Sequence, residues 1–312
     1  MRTLRAIFGA AAVASILTGA TGCDKQQEAS VDAPKLTSLA SKPKTLFFVF
    51  GDATDPRVLP VATLADGRIT PMKLDALGWR EFDKIYFTAG SRLSMYRDGA
   101  PMGDAVVRRG MWVGNDALYK LPNCQALRPL AAVTLDSAPP SAVMLELLAS
   151  SDPLAPLAMR AAIVPADLDS ARALATRVGQ HEGLTNAARA ELDEVVNAVV
   201  TAASPHPTLV GSFMERGSGL NGIVRHVFVI GDFDHSTQAY VQSYVHVPVD
   251  SLREYRRFID HVDLTGDGVD EMVLEGWQKE GDSYLMFLQF KAGHWREIAR
   301  GATRWCADPQ RE

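Results

Sequence analysis

The chain has 312 residues, of which 47% are apolar, enough to bury one large core or two modest ones. It carries 32 Lys and Arg against 37 Asp and Glu, a net charge of −5 at pH 7. The densest basic stretch, Arg253 with Arg256 and Arg257, is interrupted by Glu254 and predicts a solvated strand or loop face. This charge balance argues against a nucleic-acid partner, which needs a basic surface that releases counterions.

The first 22 residues have the pattern of a secretory signal peptide. Arg2 and Arg5 precede residues 7–17, an uninterrupted run of apolar and small side chains. That run is about half as long as the roughly 20 residues that a membrane-spanning helix needs, so it is typical of a signal peptide's apolar region. Removal of residues 1–22 takes away two arginines and no acid, which moves the net charge from −5 to −7.

Small residues lead from Gly19 through Ala20 to Gly22 and then to Cys23. This segment resembles the lipobox of bacterial lipoproteins, although Ala20 stands where Leu is commoner. The resemblance implies that Cys23 is acylated by fatty acids and that the protein is anchored by lipid in the cell envelope, facing the periplasm. Asp24 resembles a signal for retention at the inner membrane, which slightly favours that membrane and leaves the outer membrane possible. Residues 23–44 are polar and predict a flexible tether.

Residues 45–136 predict an antiparallel β module. Residues 46–50 form a short apolar run that is bounded by turn residues. Asp66-Gly67 and Asp98-Gly99 are strong signals of two-residue hairpin turns, and the flanking residues alternate between apolar and polar.

Residues 137–206 are rich in Ala and Leu and predict a helical segment. One helix is expected after Pro165, with acids in its first turn and residues 170–178 in its body. A second helix is expected to begin at Thr185. Its apolar stripe consists of Leu192, Val195, Val196, Val199 and Ala203.

Residues 207–312 predict an antiparallel β meander. Six candidate strands, linked by Gly and Asp turns, span residues 224–230, 239–247, 258–262, 271–277, 284–290 and 295–299. The whole chain therefore predicts an α+β protein that is mainly β, with an N-terminal antiparallel β module, a helical middle segment and a C-terminal antiparallel meander.

Lipidation of Cys23 leaves Cys124 and Cys306 as an even pair in a chain that is expected to face an oxidising compartment. We predict that these two cysteines form a disulfide bond. The alternative is two unrelated buried thiols, because sequence spacing alone does not establish a pairing.

Residues 263–271 carry the one loop with the chemistry of a ligand site. Oxygen-bearing side chains occupy loop positions one, three, five and nine, and Gly268 lies at position six, where a sharp turn needs a positive φ. The predicted ligands of a structural Ca²⁺ ion are Asp263, Thr265, Asp267, the carbonyl of Val269, and Glu271. Leu274 at position twelve excludes an EF-hand. The alternative is a tight hairpin that uses Asp and Gly only for turn geometry.

This loop, with the residues around it from 262 to 274, resembles the Asp-Gly loops of VCBS and FG-GAP repeat proteins. The resemblance implies calcium binding between two strands of a β-propeller blade. Thr265 replaces the Asp or Asn that is usual at the third position.

No catalytic residue is predicted, because nucleophile-elbow, H-E-x-x-H and C-x-x-C motifs are absent from the sequence. The favoured function is a non-enzymatic binding or structural role toward an unknown envelope protein or ligand. The alternative is a metal-dependent envelope hydrolase, which would require at least two of Asp232, His235, His246 and His261 to converge in a deep cleft.

Overall fold

The computed structural model describes residues 43–111, 130–137, 144–155, 162–182, 192–216, 223–248, 254–278 and 283–301. All of them belong to one compact unit, Ala40–Glu312. The predicted signal peptide, Cys23, nearly all of the tether, Cys124 and Cys306 lie outside these described residues. Within them, no helix combines the length and the apolar character needed to cross a membrane.

The first seven strands form one antiparallel sheet that closes on itself. They are β1 (Lys44–Gly51), β2 (Arg57–Ala65), β3 (Arg68–Pro71), β4 (Arg92–Arg97), β5 (Ala100–Gly110), β6 (Ala131–Leu135) and β7 (Leu145–Ser150). The strand order is β1-β7-β4-β5-β6-β2-β3, and β1 also pairs with β2, which closes a ring of six strands. We call this the closed sheet. The predicted N-terminal antiparallel β module is thereby confirmed.

Both predicted hairpin turns are present in the closed sheet. Asp66 and Gly67, with φ of 49° and 68°, join β2 to β3, and Asp98 and Gly99, with φ of 49° and 71°, join β4 to β5. Two consecutive residues with positive φ are characteristic of a type I′ turn, whose twist matches that of the flanking strands.

A helix that the sequence did not predict, α1 (Ala76–Tyr86), lies between β3 and β4. The side chain of Asp75 caps it by accepting a hydrogen bond of 2.7 Å from the backbone N–H of Gly78. Trp79 and Phe82 contribute to the apolar core formed by the inward side chains of the closed sheet, where Phe82 packs on Phe47 with ring centroids 6.1 Å apart. The helix is therefore part of the core of this module.

The helical segment predicted for residues 137–206 is only partly correct. The first helix is confirmed as α2 (Pro165–His181), but β7 falls in the same segment and belongs to the closed sheet. The second predicted helix is wrong, because Leu192–Val199 is a strand, β8, that pairs along its whole length with β9. Three of its eight residues are valines, and this β-branched side chain packs better on a pleated sheet than on a helix.

The C-terminal half contains two four-stranded antiparallel meanders, where the sequence predicted one meander over residues 207–312. The first meander consists of β8, β9 (Thr208–Arg216), β10 (Ile223–Asp234) and β11 (Ala239–His246). The second meander consists of β12 (Glu254–Val262), β13 (Glu271–Gln278), β14 (Ser283–Lys291) and β15 (His294–Arg300). All six predicted strands are confirmed within these two sheets.

The elements pack as successive layers. The second meander packs one face on the outside of the closed sheet and its other face on the first meander. The first meander in turn carries α2 on its far side. Two glycines permit this close approach of α2, because a Cβ atom on Gly231 would lie 2.0 Å from Leu174 and one on Gly211 would lie 2.4 Å from Ala175.

Candidate functional site

The turn between β12 and β13 gathers an unusual number of buried ionisable groups. They are Asp260, His261, Asp263, Asp270 and Glu271, each at most 7% exposed. We call residues 263–271 the acidic turn. Since burying ionisable groups costs free energy unless they are paired or hydrogen-bonded, such a concentration marks a candidate functional site.

Asp263 organises the first half of the acidic turn. Its Oδ1 accepts a hydrogen bond of 2.6 Å from the backbone N–H of Gly266, and its Oδ2 accepts one of 2.9 Å from Gly268. Both glycines have a positive φ, 77° and 87°, which points their amides at this carboxylate. Each oxygen of Asp263 therefore keeps one further lone pair for another donor or a cation.

Glu271 closes the acidic turn from its other end. Its Oε2 accepts hydrogen bonds from the backbone N–H groups of Leu264 and Thr265, at 2.8 and 3.1 Å, and its Oε1 accepts one of 2.9 Å from the Thr265 hydroxyl. Burial raises the pKa of Glu271 to about 7, although these hydrogen bonds act in the opposite direction.

The remaining predicted calcium ligands lie toward the surface. Asp267 is exposed, and its Oδ1 accepts a hydrogen bond of 2.9 Å from the N–H of Val269. The side-chain amide of Gln289, on β14, donates to Asp267 Oδ2 at 3.2 Å and to Thr265 Oγ1 at 3.3 Å. An amide donor thus lies between two of the predicted ligands.

The predicted calcium ligands do not form the tightest cluster of potential metal ligands. Among the described residues, one group of three acidic or imidazole side chains has ligand atoms that all lie within 4.8 Å of one another, and it consists of Asp98, Asp260 and His261. The signals for this group in the sequence were limited to the turn residue Asp98 and the proximity of residues 260 and 261 to the acidic turn. Only the packing of β4–β5 against β12 brings its members together.

Asp260 is almost fully enclosed. Its Oδ1 accepts hydrogen bonds of 2.8 Å from the backbone N–H groups of Asp98 and His261, while its Oδ2 is buried without a hydrogen-bond partner. Burial raises the pKa of Asp260 to about 6. Nδ1 of His261 lies 2.5 Å from Oδ2 of Asp270, which holds the imidazole ring in place.

A shallow cleft of about 190 Å³ opens beside the acidic turn. Its walls include Asp66 and Gly67 of the β2–β3 turn, Leu154, and Asp263 to Gly266. This volume is below the roughly 300–1,000 Å³ of typical small-molecule pockets, so the cleft suits an ion or a protruding side chain better than a whole substrate.

The four residues of the hydrolase alternative have separate environments. Asp232 accepts hydrogen bonds from Thr208, Ser243 and Trp295, while His235 lies on the exposed turn between β10 and β11. Nε2 of His246 lies 2.7 Å from the backbone oxygen of Glu254, and His261 contacts Asp270. Within the described residues, no three of these four side chains gather as a group that could hold a metal ion.

Of the three arginines that the sequence placed on a solvated face, Arg253 lies outside the described residues, Arg256 is buried and Arg257 is half-buried. Arg256 is 9% exposed and donates a hydrogen bond of 2.9 Å to Glu254. Arg257 forms a bidentate ion pair with Glu146, with hydrogen bonds of 2.7 and 2.5 Å. Arg257 also donates to Glu275 at 2.7 Å. The expectation of a solvated face is wrong for Arg256, because the packing of the layers covers this part of β12.

Comparisons with known proteins identify no relative: no family model, no curated protein and no solved structure matches this chain. The candidate site therefore has to be interpreted from its own geometry.

Proposed function

We propose that the protein is a lipid-anchored lipoprotein of the bacterial cell envelope, which binds an envelope protein or ligand and holds a structural Ca²⁺ ion in the acidic turn. The observation that carries the calcium proposal is the pair of buried carboxylates, Asp263 and Glu271, at the two ends of one turn. The lipid anchor is supported by the sequence of residues 1–23.

A hard cation suits the donors of the acidic turn. Asp263, Asp267 and Glu271 supply carboxylate oxygens, and Thr265 supplies a hydroxyl, which are the ligand types that Ca²⁺ prefers. Binding would require Gln289 to turn its amide, so that its carbonyl oxygen instead of its NH₂ group faces Thr265 and Asp267.

The affinity for Ca²⁺ is expected to be low, at a Kd of ~10⁻⁴ M or weaker, as in extracellular modules. Thr265 removes one charge from the loop, and Asp263 and Glu271 already accept hydrogen bonds from the turn. Calcium would then be a stabilising ion of an extracytoplasmic surface and not a cytosolic signal.

Calorimetry and thermal unfolding of the full chain test the calcium site. Wild type is expected to release or absorb heat with millimolar Ca²⁺ and to unfold at a higher temperature, whereas Asp267→Asn weakens both effects. Asp234→Asn is the matched control, because Asp234 also accepts hydrogen bonds from its own turn, through Ser236, but lies on β10. Absence of both heat and thermal shift in wild type would leave the acidic turn as a hairpin only.

Metabolic labelling with palmitate and membrane fractionation test the anchor. Wild type is expected to carry label and to sediment with membranes, and density separation then distinguishes the inner from the outer membrane. Cys23→Ser is expected to lose the label and to remain in the precursor form. Recovery of unlabelled wild type with its leader intact in the soluble fraction would contradict the anchor.

A non-enzymatic role toward an envelope protein or ligand is the favoured function, and it is tested directly by identifying that partner. Crosslinking in intact cells, followed by purification from the envelope, is expected to recover a defined partner. Its loss in the Cys23→Ser variant would show that the partner meets the protein at the membrane.

A further inference from the structure

Asp98, Asp260 and His261 form a cluster that the acidic turn does not include. Asp98 lies in the turn between β4 and β5 of the closed sheet, whereas Asp260 and His261 lie near the end of β12 in the second meander. One ligand atom from each lies within 4.8 Å of the other two. A single ion bound to all three would join the two sheets.

The buried oxygen of Asp260 points independently to a ligand. Asp260 is 1% exposed, and its Oδ2 has no hydrogen-bond partner, although its Oδ1 accepts two N–H groups. Leaving a carboxylate oxygen buried and unsatisfied costs about 1–3 kcal/mol or more. A cation coordinated by this oxygen would remove that cost.

Asp270 provides the support that a metal-binding imidazole usually has. It is fully buried, and its Oδ2 lies 2.5 Å from Nδ1 of His261. In the sequence, Asp260 precedes the acidic turn, whereas Asp270 lies near its end. Metal-bound histidines commonly hold their other ring nitrogen on a carboxylate, which fixes the ring orientation and increases ligand basicity.

The donor set selects a class of ion. One imidazole nitrogen and two carboxylate oxygens suit a first-row divalent transition ion better than Ca²⁺ or Mg²⁺, which prefer oxygen alone. Asp98 is exposed, so an ion can enter from solvent and retain water as a further ligand.

We propose that Asp98, Asp260 and His261 bind a divalent transition ion such as Zn²⁺ or Mn²⁺, with Asp270 as the positioning residue. The ion clamps the β4–β5 hairpin of the closed sheet onto the second meander. This site shares no ligand with the calcium site proposed for the acidic turn, although its positioning residue Asp270 belongs to that turn.

Calorimetric titration of the untagged full chain with Zn²⁺ and with Mn²⁺, each in excess Mg²⁺, tests this proposal. Wild type is expected to bind one ion per chain. Asp98→Asn is the principal variant, because Asn tolerates the positive φ of this exposed turn and removes only the ligand charge. Asp66→Asn is its matched control, since Asp66 occupies the equivalent position, also with φ of 49°, in the β2–β3 turn.

Asp98→Asn is expected to weaken binding at least ~10-fold, Asp270→Asn ~10- to 100-fold, and Asp66→Asn not at all. Asp267→Asn should weaken Ca²⁺ binding while leaving Zn²⁺ binding intact, so that failure of one site is distinguishable from failure of the other. The proposal is overturned if wild type shows no saturable binding of either ion, or if folded Asp98→Asn binds as tightly as wild type.

Discussion

The indole Nε1 of Trp295 donates a hydrogen bond of 2.7 Å to Oδ2 of Asp232, and both residues are buried. Trp295 lies on β15 of the second meander and Asp232 on β10 of the first, so this bond ties the two sheets together across their shared core. The same carboxylate accepts bonds from the hydroxyls of Thr208 and Ser243. Burial nevertheless raises the pKa of Asp232 above its usual value.

Trp295→Phe is expected to lower the free energy of unfolding by about 2 kcal/mol beyond the loss from the smaller ring, because it removes a donor from a buried carboxylate. Trp79→Phe is the matched control, since it makes the same change to a smaller ring at a buried position in the core of the closed sheet. Urea unfolding of both variants measures the difference. Equal losses in the two variants would contradict a special role for the bond to Asp232.

His226 makes stability depend on pH. Its ring is 1% exposed, with Nδ1 3.2 Å from the oxygen of Phe213 and Nε2 accepting the N–H of Arg256 at 3.1 Å. Burial, and secondarily the charge of His246, lowers the pKa of His226 from 6.5 to about 3. The folded protein therefore keeps His226 neutral where the unfolded chain would protonate it.

The stability that the protein has with a neutral His226 is complete above pH 6.5. It is lost as the pH falls from 6.5 toward 3, by at most about 1.4 kcal/mol of unfolding free energy per pH unit. We expect the difference in unfolding free energy between wild type and His226→Gln to decrease over this window. Taking the difference cancels the groups that both proteins share. These include carboxylates with a raised pKa, such as Asp232, which change stability with pH in the opposite direction. A difference that stays constant with pH would show that the fold accepts a protonated His226.

Arg257, on β12, connects the second meander to the closed sheet through Glu146 on β7, and it also pairs with Glu275 on the neighbouring strand β13. Arg257→Met is expected to cost about 2 kcal/mol, since it removes the guanidinium that pairs with both carboxylates, and the cost is limited because 31% of the Arg257 side chain is exposed. Arg92→Met is the control. Arg92 also contacts two acids, Asp104 and Asp136, but is 59% exposed, so solvent screens these pairs and its loss should cost much less. Similar losses for both variants would contradict this ranking.

Gln289→Glu distinguishes a calcium site from a simple hairpin. The variant places a carboxylate where the Gln289 amide now donates to Thr265 and Asp267. Without calcium it should destabilise the protein through repulsion with Asp267, whereas with calcium the additional ligand should increase affinity about 10-fold or more. Thermal unfolding across a calcium titration measures both effects. Destabilisation that calcium does not reverse would favour the hairpin.

The predicted Cys124–Cys306 bond stays a prediction. A loop of about 180 residues would stabilise the fold by roughly 5 kcal/mol in the chain-entropy model. Mass mapping of peptides under non-reducing conditions is expected to find the two cysteines linked, and two free thiols would refute the bond.

Local patterns were sufficient for most of the strands. Asp66-Gly67 and Asp98-Gly99 adopt the positive φ angles that their hairpin turns require, and the alternation in residues 239–247 produced β11. These features depend on neighbouring residues only, so the sequence carries them directly. The helix α1 was missed, although the N-cap Asp75 and the helical spacing of Trp79, Phe82 and Tyr86 are local signals that could have predicted it.

Residues 192–199 show where local pattern was insufficient. Their apolar side chains fit a helical stripe as well as a strand. Pairing with β9 decides for the strand, because β9 supplies backbone hydrogen-bond partners along the whole length of β8. The same limit applies to the candidate site. The acidic turn was visible from spacing, whereas the cluster of Asp98 with Asp260 was not, because 162 residues separate them in the chain.

The amino-acid sequence by itself determined the strand-rich character, the tight turns, the lipobox pattern at Cys23 and the acidic turn, since each depends on residues within one short stretch. Tertiary structure alone decided the closure of the first sheet, the burial of Arg256, and the contact of Asp98 with Asp260. These outcomes depend on which surfaces pack together, and packing is set by the summed burial of side chains that are distant in the chain.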